Sequence, residues 1–307
     1  MPHSAPAPVE PPLPLRLDRS GAERDDDLLV ERVRADASTR VLVVRRDAAP
    51  VRAGRLVLVD VGHLAAGSPA VREWAFLGRS ADGAAILLAV VPDDAPDDLV
   101  PDAEWAALRA AGGDLPESEA EVFTTAVALA GWLRDAPFCP ACGSRTDLRN
   151  AGWSRHCPSC GREHFPRTDP AVIVLVQSAG SDDRILLGAN AAWGGDRYSC
   201  FAGFAEAGES LEDAVRREVG EEAGVRLDGI SYRGSQAWPY PRSLMLGFRA
   251  RVVADDEARA DGEEIVEVRW FDRDEIGASL RGEGPVQLPG PASIARRLID
   301  DWFRGVV

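Results

Sequence analysis

An α/β fold of the α+β kind is predicted for this sequence, with a mixed sheet between helices behind a four-cysteine zinc ribbon and a small α+β N-terminal domain. Three observations carry that expectation. From residue 166 onward, apolar runs of strand length alternate with helical runs; two Cys-x-x-Cys pairs stand just ahead of them; and residues 15–135 hold short apolar strands and a helix of their own. The boundaries expected are a leader over 1–14, an α+β domain over 15–135, a ribbon over 136–165 and the larger domain over 166–307.

Length and composition set the outer limits. At 307 residues, 45% hydrophobic and 28% charged, the chain suits two domains of an ordinary globular protein. It has no apolar run of 18 residues, so no transmembrane helix and no membrane partner are expected. The proline-rich start, Met1-Pro-His-Ser-Ala-Pro-Ala-Pro, lacks the layout of a signal peptide and reads as a disordered leader on a cytoplasmic protein. With 35 basic against 50 acidic residues, the net charge of −15 excludes a broad grip on nucleic acid. A local basic pocket for one dinucleotide or one RNA end stays possible. All the basic side chains apart from histidine are arginine, so a Walker P-loop, a lysine Schiff base and a Ser-Lys dyad are excluded.

In the first domain, Leu28–Arg34 reads as a short helix behind the acidic Asp25-Asp26-Asp27. Arg40–Arg46, Arg55–Asp60, Glu73–Gly78 and Ala84–Val91 read as strands separated by Gly, Pro and Asp turns. Ser118-Glu-Ala-Glu121 has the form of a capping box opening a helix to Arg134, with Val122, Val127, Leu129, Ala130 and Leu133 facing inward. No catalytic motif is visible there. Next come Cys139-Pro-Ala-Cys142 and Cys157-Pro-Ser-Cys160 with 14 residues between the pairs. Two such knuckles at this distance indicate a four-thiolate zinc site, closed and therefore structural, which is expected to staple the domains. A disulfide suits a cytoplasmic chain badly, and a redox Cys-x-x-Cys needs no twin. Cys200, on an apolar stretch, reads as a buried structural cysteine.

In the second domain, Pro170–Val176 reads as a buried strand with Arg184–Ala189 as its hairpin partner. Tyr198–Ala202, Leu244–Val253 and Ile265–Phe271 supply further strands. Ser293–Phe303 is a closing helix, with Ile294, Leu298 and Trp302 at helical spacing. Between them lies Gly203-Phe-Ala-Glu-Ala-Gly-Glu209-Ser-Leu-Glu-Asp-Ala-Val-Arg-Arg217-Glu218-Val-Gly-Glu221-Glu222-Ala-Gly224-Val225. Ser210 is a good N-cap, and Gly224 can take the left-handed stop conformation. On the intervening helix Glu218, Glu221 and Glu222 stand at i, i+3 and i+4, so their carboxylates share one face. Their repulsion asks for a counter-charge, and an oxygen-seeking divalent cation such as Mg²⁺ or Mn²⁺ answers it. Taken on spacing alone, a solvated acidic helix face answers equally well.

The whole string resembles the Nudix box, Gly-x5-Glu-x7-Arg-Glu-apolar-x-Glu-Glu-x-Gly-apolar. That resemblance implies a Nudix α/β/α sandwich and hydrolysis of a nucleoside diphosphate linked to another group. It implies that Glu218 and Glu222 are the principal Mg²⁺ or Mn²⁺ ligands, helped by backbone Ala202, and that Glu221 ligates metal or polarises the water. It also implies that Arg217 pairs with Glu209 to hold the loop against the helix. The family pattern points to Glu264, six residues before Trp270, as a further ligand or the general base; Glu221 and Glu264 both stand as candidates for that base.

Ten residues past the box, Ser235-Gln-Ala-Trp-Pro-Tyr-Pro-Arg-Ser243 resembles the Ser-Gln-Pro-Trp-Pro-Phe-Pro-x-Ser signature of the NADH pyrophosphatase branch, which also decaps NAD-capped RNA. Ala237 replaces a proline of that pattern and Tyr240 a phenylalanine. Aromatic faces at Trp238 and Tyr240 can stack on a base for ~1–3 kcal/mol, and Gln236 and Ser243 can hydrogen-bond ribose or amide groups. The resemblance implies a nucleotide pocket lined by Gln236, Ala237, Trp238, Pro239, Tyr240, Pro241, Arg242 and Ser243. Phe204, Phe165 (for an expected tyrosine) and backbone Ala295 complete it. Arg109 is either the first domain's contribution to phosphate binding or a surface arginine. Expected substrates are therefore NAD(H) and the 5′ end of NAD-capped RNA, cut to NMN(H) and AMP or to a 5′-monophosphate, by a protein that is a homodimer in this family. A general dinucleotide or ADP-ribose pyrophosphatase is the same-class alternative; a non-catalytic zinc-ribbon module for nucleic acid or protein is the other.

Overall fold

The computed structural model describes residues 17–64, 71–255 and 258–306, so the leader expected over 1–14 lies outside the described residues. The chain divides into two compact units, one running to Pro166 and the other from Arg167 to the end. Among the described residues no helix is long and apolar enough to cross a membrane.

The first unit opens with α1 (Leu29–Arg34) and continues through strands β1 (Arg40–Val44), β2 (Ala48–Arg52), β3 (Arg55–Leu56), β4 (Val59–Asp60), β5 (Glu73–Arg79), β6 (Ala85–Val90) and β7 (Glu104–Ala107). Helices α2 (Leu108–Ala111) and α3 (Glu117–Asp135) follow. One sheet runs β4-β1-β6-β5, with β1 and β6 parallel at its centre, and a smaller one runs β3-β2-β7. Every residue of β6 is buried, as a continuous apolar strand covered on both faces requires. Leu29, Val41, Phe76 and Leu87 form the core beneath.

Two sequence expectations are corrected here. Arg55–Asp60 is not one strand: β3 pairs with β2 and β4 with β1, so the chain changes sheets within six residues. The Ser118–Glu121 capping box does not form. Pro116 ends the extended chain at ψ 140, the helix begins at Glu117, and no side chain caps it. Ser118 is therefore already inside the first turn, while the five apolar positions expected to face inward are all buried.

The ribbon strands β8 (Asp147–Arg149), β9 (Ser154–His156) and β10 (Glu163–His164) form a separate sheet that packs within this unit. Trp153 Nε1 donates to the carbonyl of Phe76 at 2.7 Å. Arg155, 2% exposed, donates to the Leu133 carbonyl at 2.9 Å and to Glu73 at 3.2 Å. Gly152, at φ +93, sits where an added Cβ would lie 2.5 Å from Ala75 Cβ, so only glycine allows this approach.

The second unit contains β11 (Asp169–Gln177), β12 (Arg184–Asn190), β13 (Phe201–Phe204), α4 (Leu211–Ala223), β14 (Leu227–Trp238), β15 (Ser243–Val252), β16 (Ile265–Asp272), α5 (Arg273–Leu280) and α6 (Ile294–Phe303). The sheet runs β14-β15-β11-β12-β16, with β13 also paired to β11; β11 and β15 are parallel and the other pairings antiparallel. Residues of β11 alternate between faces. Val172, Val174 and Val176 pack with α4, and Ile173 and Leu175 pack with α5 and α6. This is the mixed sheet between helices that the sequence predicts. Two elements go beyond that prediction. Helix α5 has a full capping box between Asp272 and Glu275. Strand β14, not expected as a strand from the sequence, ends inside the proline-rich signature.

Candidate active site

Local sequence sets the box helix in place. Ser210 Oγ accepts the N–H of Asp213 at 3.2 Å, and Gly224 ends the helix at φ +66. Gly203, on β13, has no room for a side chain: an added Cβ would lie 2.0–2.2 Å from the Glu218 carboxylate atoms. Because the obstacle is the tip of a flexible side chain, Gly203→Ala is expected to leave the fold intact and push Glu218 aside. Titration with Mn²⁺ should show affinity weakened by about 10–100-fold, the range seen when groups that orient a ligand are removed. Unchanged affinity would mean Glu218 is not positioned here for metal.

Arg217 ties the loop to the helix. Its Nε and Nη2 each reach a Glu209 oxygen at 2.9 Å, and Nη2 also donates to the Phe204 carbonyl at 2.9 Å. Its Nη1 donates to Glu218 Oε1 at 2.9 Å and Glu221 Oε2 at 3.1 Å. The Arg217 hydrogen bonds, with the backbone N–H of Glu206, hold the Glu209 carboxyl at about 2.

The three helix glutamates occupy different environments. Glu221 is exposed, Glu218 is mostly covered, and Glu222 is 5% exposed with Oε2 lacking any hydrogen-bond partner among the described residues. Burial pushes the Glu222 carboxyl up to about 8, aided by the charges of Glu264 and Glu218 and opposed by the backbone N–H of Ala202. Burial also raises Glu218; Arg217 opposes this, and Glu221 and Glu264 add to it. An orphaned, buried carboxylate oxygen that feels the charges of two further carboxylates fits a hard divalent cation bound through oxygen. Glu264 is exposed where β16 begins, beside the register slip between Ala189 and Asn190. Its Oε1 accepts from Asn190 Nδ2 at 3.4 Å, and its carbonyl accepts from Ala191 at 2.9 Å. Asp261 holds the turn through the N–H groups of Glu263 and Ile265, each at 2.9 Å. Sequence reasoning does not find Asn190, whose contact spans 74 residues of chain.

The signature segment is half strand, half turn. Ser235–Trp238 close β14 opposite Ser243–Leu246 of β15, and Tyr240–Pro241 is a cis peptide. Trp238 and Tyr240 meet edge to face with centroids 5.0 Å apart. Gln236 is engaged at both ends of its amide: Nε2 donates to the Ala292 carbonyl and Oε1 accepts from Ile294, each at 2.7 Å. It braces the start of α6, which carries buried Ala295. Arg242 Nε donates to Asp169 at 2.8 Å, and Ser243 is buried. Ala237, Pro241 and Phe204 are exposed, and Pro239 is buried. In the first unit, Arg109 is exposed on α2 and Phe165 is 61% exposed just after β10.

The ribbon cysteines meet as their spacing requires. All four Sγ atoms lie within 4.8 Å of one another, with Cys139 and Cys160 at 3.6 Å and Cys142 and Cys157 at 3.5 Å. Tetrahedral Zn–S bonds of ~2.3 Å place sulfurs roughly 3.8 Å apart, so the cage fits zinc. Each knuckle turns on a left-handed glycine, Gly143 and Gly161, both at φ +74. Hydrogen bonds from the Ser144 backbone N–H and then its hydroxyl bring the Cys142 thiol down to about 6. His164 Nε2 lies 3.2 Å from Cys139 Sγ. Cys200 is buried, and burial raises its thiol to about 12.

Comparison with known proteins adds to this geometry. The NUDIX domain family matches residues 167–288, the NADH pyrophosphatase zinc ribbon domain 134–165, and the NADH pyrophosphatase-like rudimentary NUDIX domain 22–132. The chain is 40% identical to the NAD-capped RNA hydrolase NudC of Mycobacterium tuberculosis, over 93% of this chain and 94% of that one. It is 37% identical to the protein of that name from Deinococcus radiodurans, over 82% and 85%. A NUDIX hydrolase structure from Nitrosomonas europaea matches at 24% identity and TM-score 0.36, covering 49% of this chain and 96% of that one.

Proposed function

The chain belongs to the Nudix hydrolases, in the branch of the NADH pyrophosphatases and NAD-capped RNA hydrolases, and from that premise we propose that it hydrolyses the pyrophosphate of NAD(H) to NMN(H) and AMP. On an RNA bearing an NAD cap the same cut releases NMN and leaves a 5′-monophosphate. The observation that carries the reading is the buried Glu222 carboxylate, one oxygen of which has no hydrogen-bond partner among the described residues while the charges of Glu264 and Glu218 act on it.

Glu218 and Glu222 would hold the divalent cation, Mg²⁺ or Mn²⁺, with Glu264 and backbone Ala202 as its further ligands. When bound, that ion supplies charge neutralisation at the phosphates and an activated water. Glu221, exposed on the same face, and Glu264 are the two groups able to accept the water's proton. Arg217 keeps the loop closed on the helix, so the carboxylates stay in place through turnover. Trp238 and Tyr240 offer ring faces to a base, with Phe204 as a further aromatic contact, and Gln236 fixes Ala295 by anchoring α6. Ala237, Pro239, Pro241, Arg242 and Ser243 shape that recognition segment. Zinc in the ribbon is structural. The protein acts in the cytoplasm as a homodimer.

An RNA carrying an NAD cap with a labelled first phosphate tests the decapping step. Release of NMN with a 5′-monophosphate left on the RNA is expected. A cap left intact while ADP-ribose is cleaved would move the protein to a different Nudix specificity, and nicotinamide released alone would be glycosidic cleavage and contradict pyrophosphate hydrolysis.

A further inference from the structure

The proposed chemistry uses only the Gln236–Ser243 end of β14 and β15 and the start of α6, and leaves the rest of that face of the second unit free. Two clefts lie there, of about 380 and about 280 Å³, both bordered by Asp301. Arg233 and Arg249 line the larger, Arg297 and Arg304 the smaller. Several other arginines of this unit are ion-paired, as at Arg217, Arg242, Arg251, Arg273 and Arg296. The four in the clefts have no hydrogen-bonded or ion-paired acceptor for their guanidinium groups among the described residues. Arg233 Nε is shut off from solvent without a partner. The proton affinity of Arg249 is lowered by burial, then by the charges of Arg233 and Arg251. Asp300 is already tied to Arg296, so Asp301 is the remaining carboxylate at the groove.

Guanidiniums without a protein acceptor, lining clefts on one face, suit an anion, and the spacing of Arg297 and Arg304 says which kind. Arg297 and Arg304 are seven residues apart, two helical turns and roughly 10 Å, and so face the same way. One phosphate group is too small to serve both; a run of phosphates is not. The smaller cleft is also lined by Gln236, at the end of the proposed recognition segment. The larger is rimmed by Tyr232, 55% exposed and edge-on to Phe248. Basic side chains along a groove with an exposed aromatic ring are how single-stranded nucleic acid is held without sequence readout.

We propose that this groove holds the phosphodiester backbone of the RNA that follows the NAD cap. The proposal rests on the decapping reading above. The net charge of −15 repels RNA from the rest of the surface and makes this uncompensated stretch its landing place.

Two double variants, Arg233→Gln with Arg249→Gln and Arg297→Gln with Arg304→Gln, test it after melting curves show them folded. On free NAD⁺ their kcat/KM should equal that of the wild type. On a short NAD-capped RNA it should fall about tenfold, and its slope against salt on logarithmic axes should flatten by about 0.7 for each phosphate no longer neutralised. An equal fall on both substrates, or none on RNA, would overturn the proposal. So would dissociation of a dimer on substitution, which would make the groove a subunit interface. Anisotropy with an uncapped 5′-monophosphate RNA reads the groove without the reaction: weakened binding by the variants supports it, and unchanged binding overturns it. Absence of NAD⁺ turnover by the wild type would refute the reading of the active site, and the anisotropy result would still decide the groove.

Discussion

Replacing Glu222 by glutamine is expected to lower NADH turnover about a thousandfold while leaving the fold and the zinc content unchanged. Metal stabilisation of the developing charge is worth several kcal/mol, and each 1.36 kcal/mol is a factor of ten. The same variant has a stability signature that a surface carboxylate would not show. Without divalent metal, burial holds the Glu222 carboxyl at about 8 in the folded state, against an ordinary value near 4.5. Between those values the folded protein keeps a proton that the unfolded chain has released, so the group costs stability as pH rises through that window. In EDTA, wild type should therefore lose melting temperature relative to Glu222→Gln as pH goes from 5 to 8. Mn²⁺ should restore wild type and do little for the variant. A variant with normal turnover, or parallel pH curves with and without metal, would remove Glu222 from the metal site.

Changing Cys157 to serine is expected to release zinc and melt the first unit. Cys157 is fully buried, and its sulfur is 3.5 Å from that of Cys142. Structural zinc sites in small domains carry apparent binding energies of ~10–16 kcal/mol. The ribbon is welded to its unit through Trp153, Gly152 and Arg155, so its loss uncovers β5 and the end of α3. A fall in melting temperature of at least about 10 °C is expected, at roughly 2–4 °C per kcal/mol for a unit of this size. Zinc counted by a chromophoric chelator should drop in step. A variant that released zinc yet kept its stability would make the ribbon an appendage rather than a staple.

What can be read in the sequence follows from how local each determinant is. The box helix is legible to the residue, from Ser210 to Gly224, because its start, stop and carboxylate spacing lie within one short stretch. The four cysteines are legible for the same reason. Strand β14 is not, since its identity comes from pairing with β15, which lies on the far side of the signature's prolines. The capping box at Ser118 has the right letters, but Pro116 sets the helix start ahead of it. At Asp272 and Glu275 the same signal is present in the sequence and is the one that forms. Gln236 reads as a ligand for substrate, yet its amide spans Ala292 and Ile294, two residues that only the fold brings near. The kinship of residues 22–132 with the rudimentary NUDIX domain has no local mark at all, because no glutamate box stands there.

The most direct test of the central claim is to incubate the protein with NADH and Mg²⁺ or Mn²⁺ and resolve the products. AMP and reduced NMN in equal amounts, appearing with wild type and not with Glu222→Gln, is the predicted result. Intact NADH beside efficiently cleaved ADP-ribose, or nicotinamide released without AMP, would contradict it.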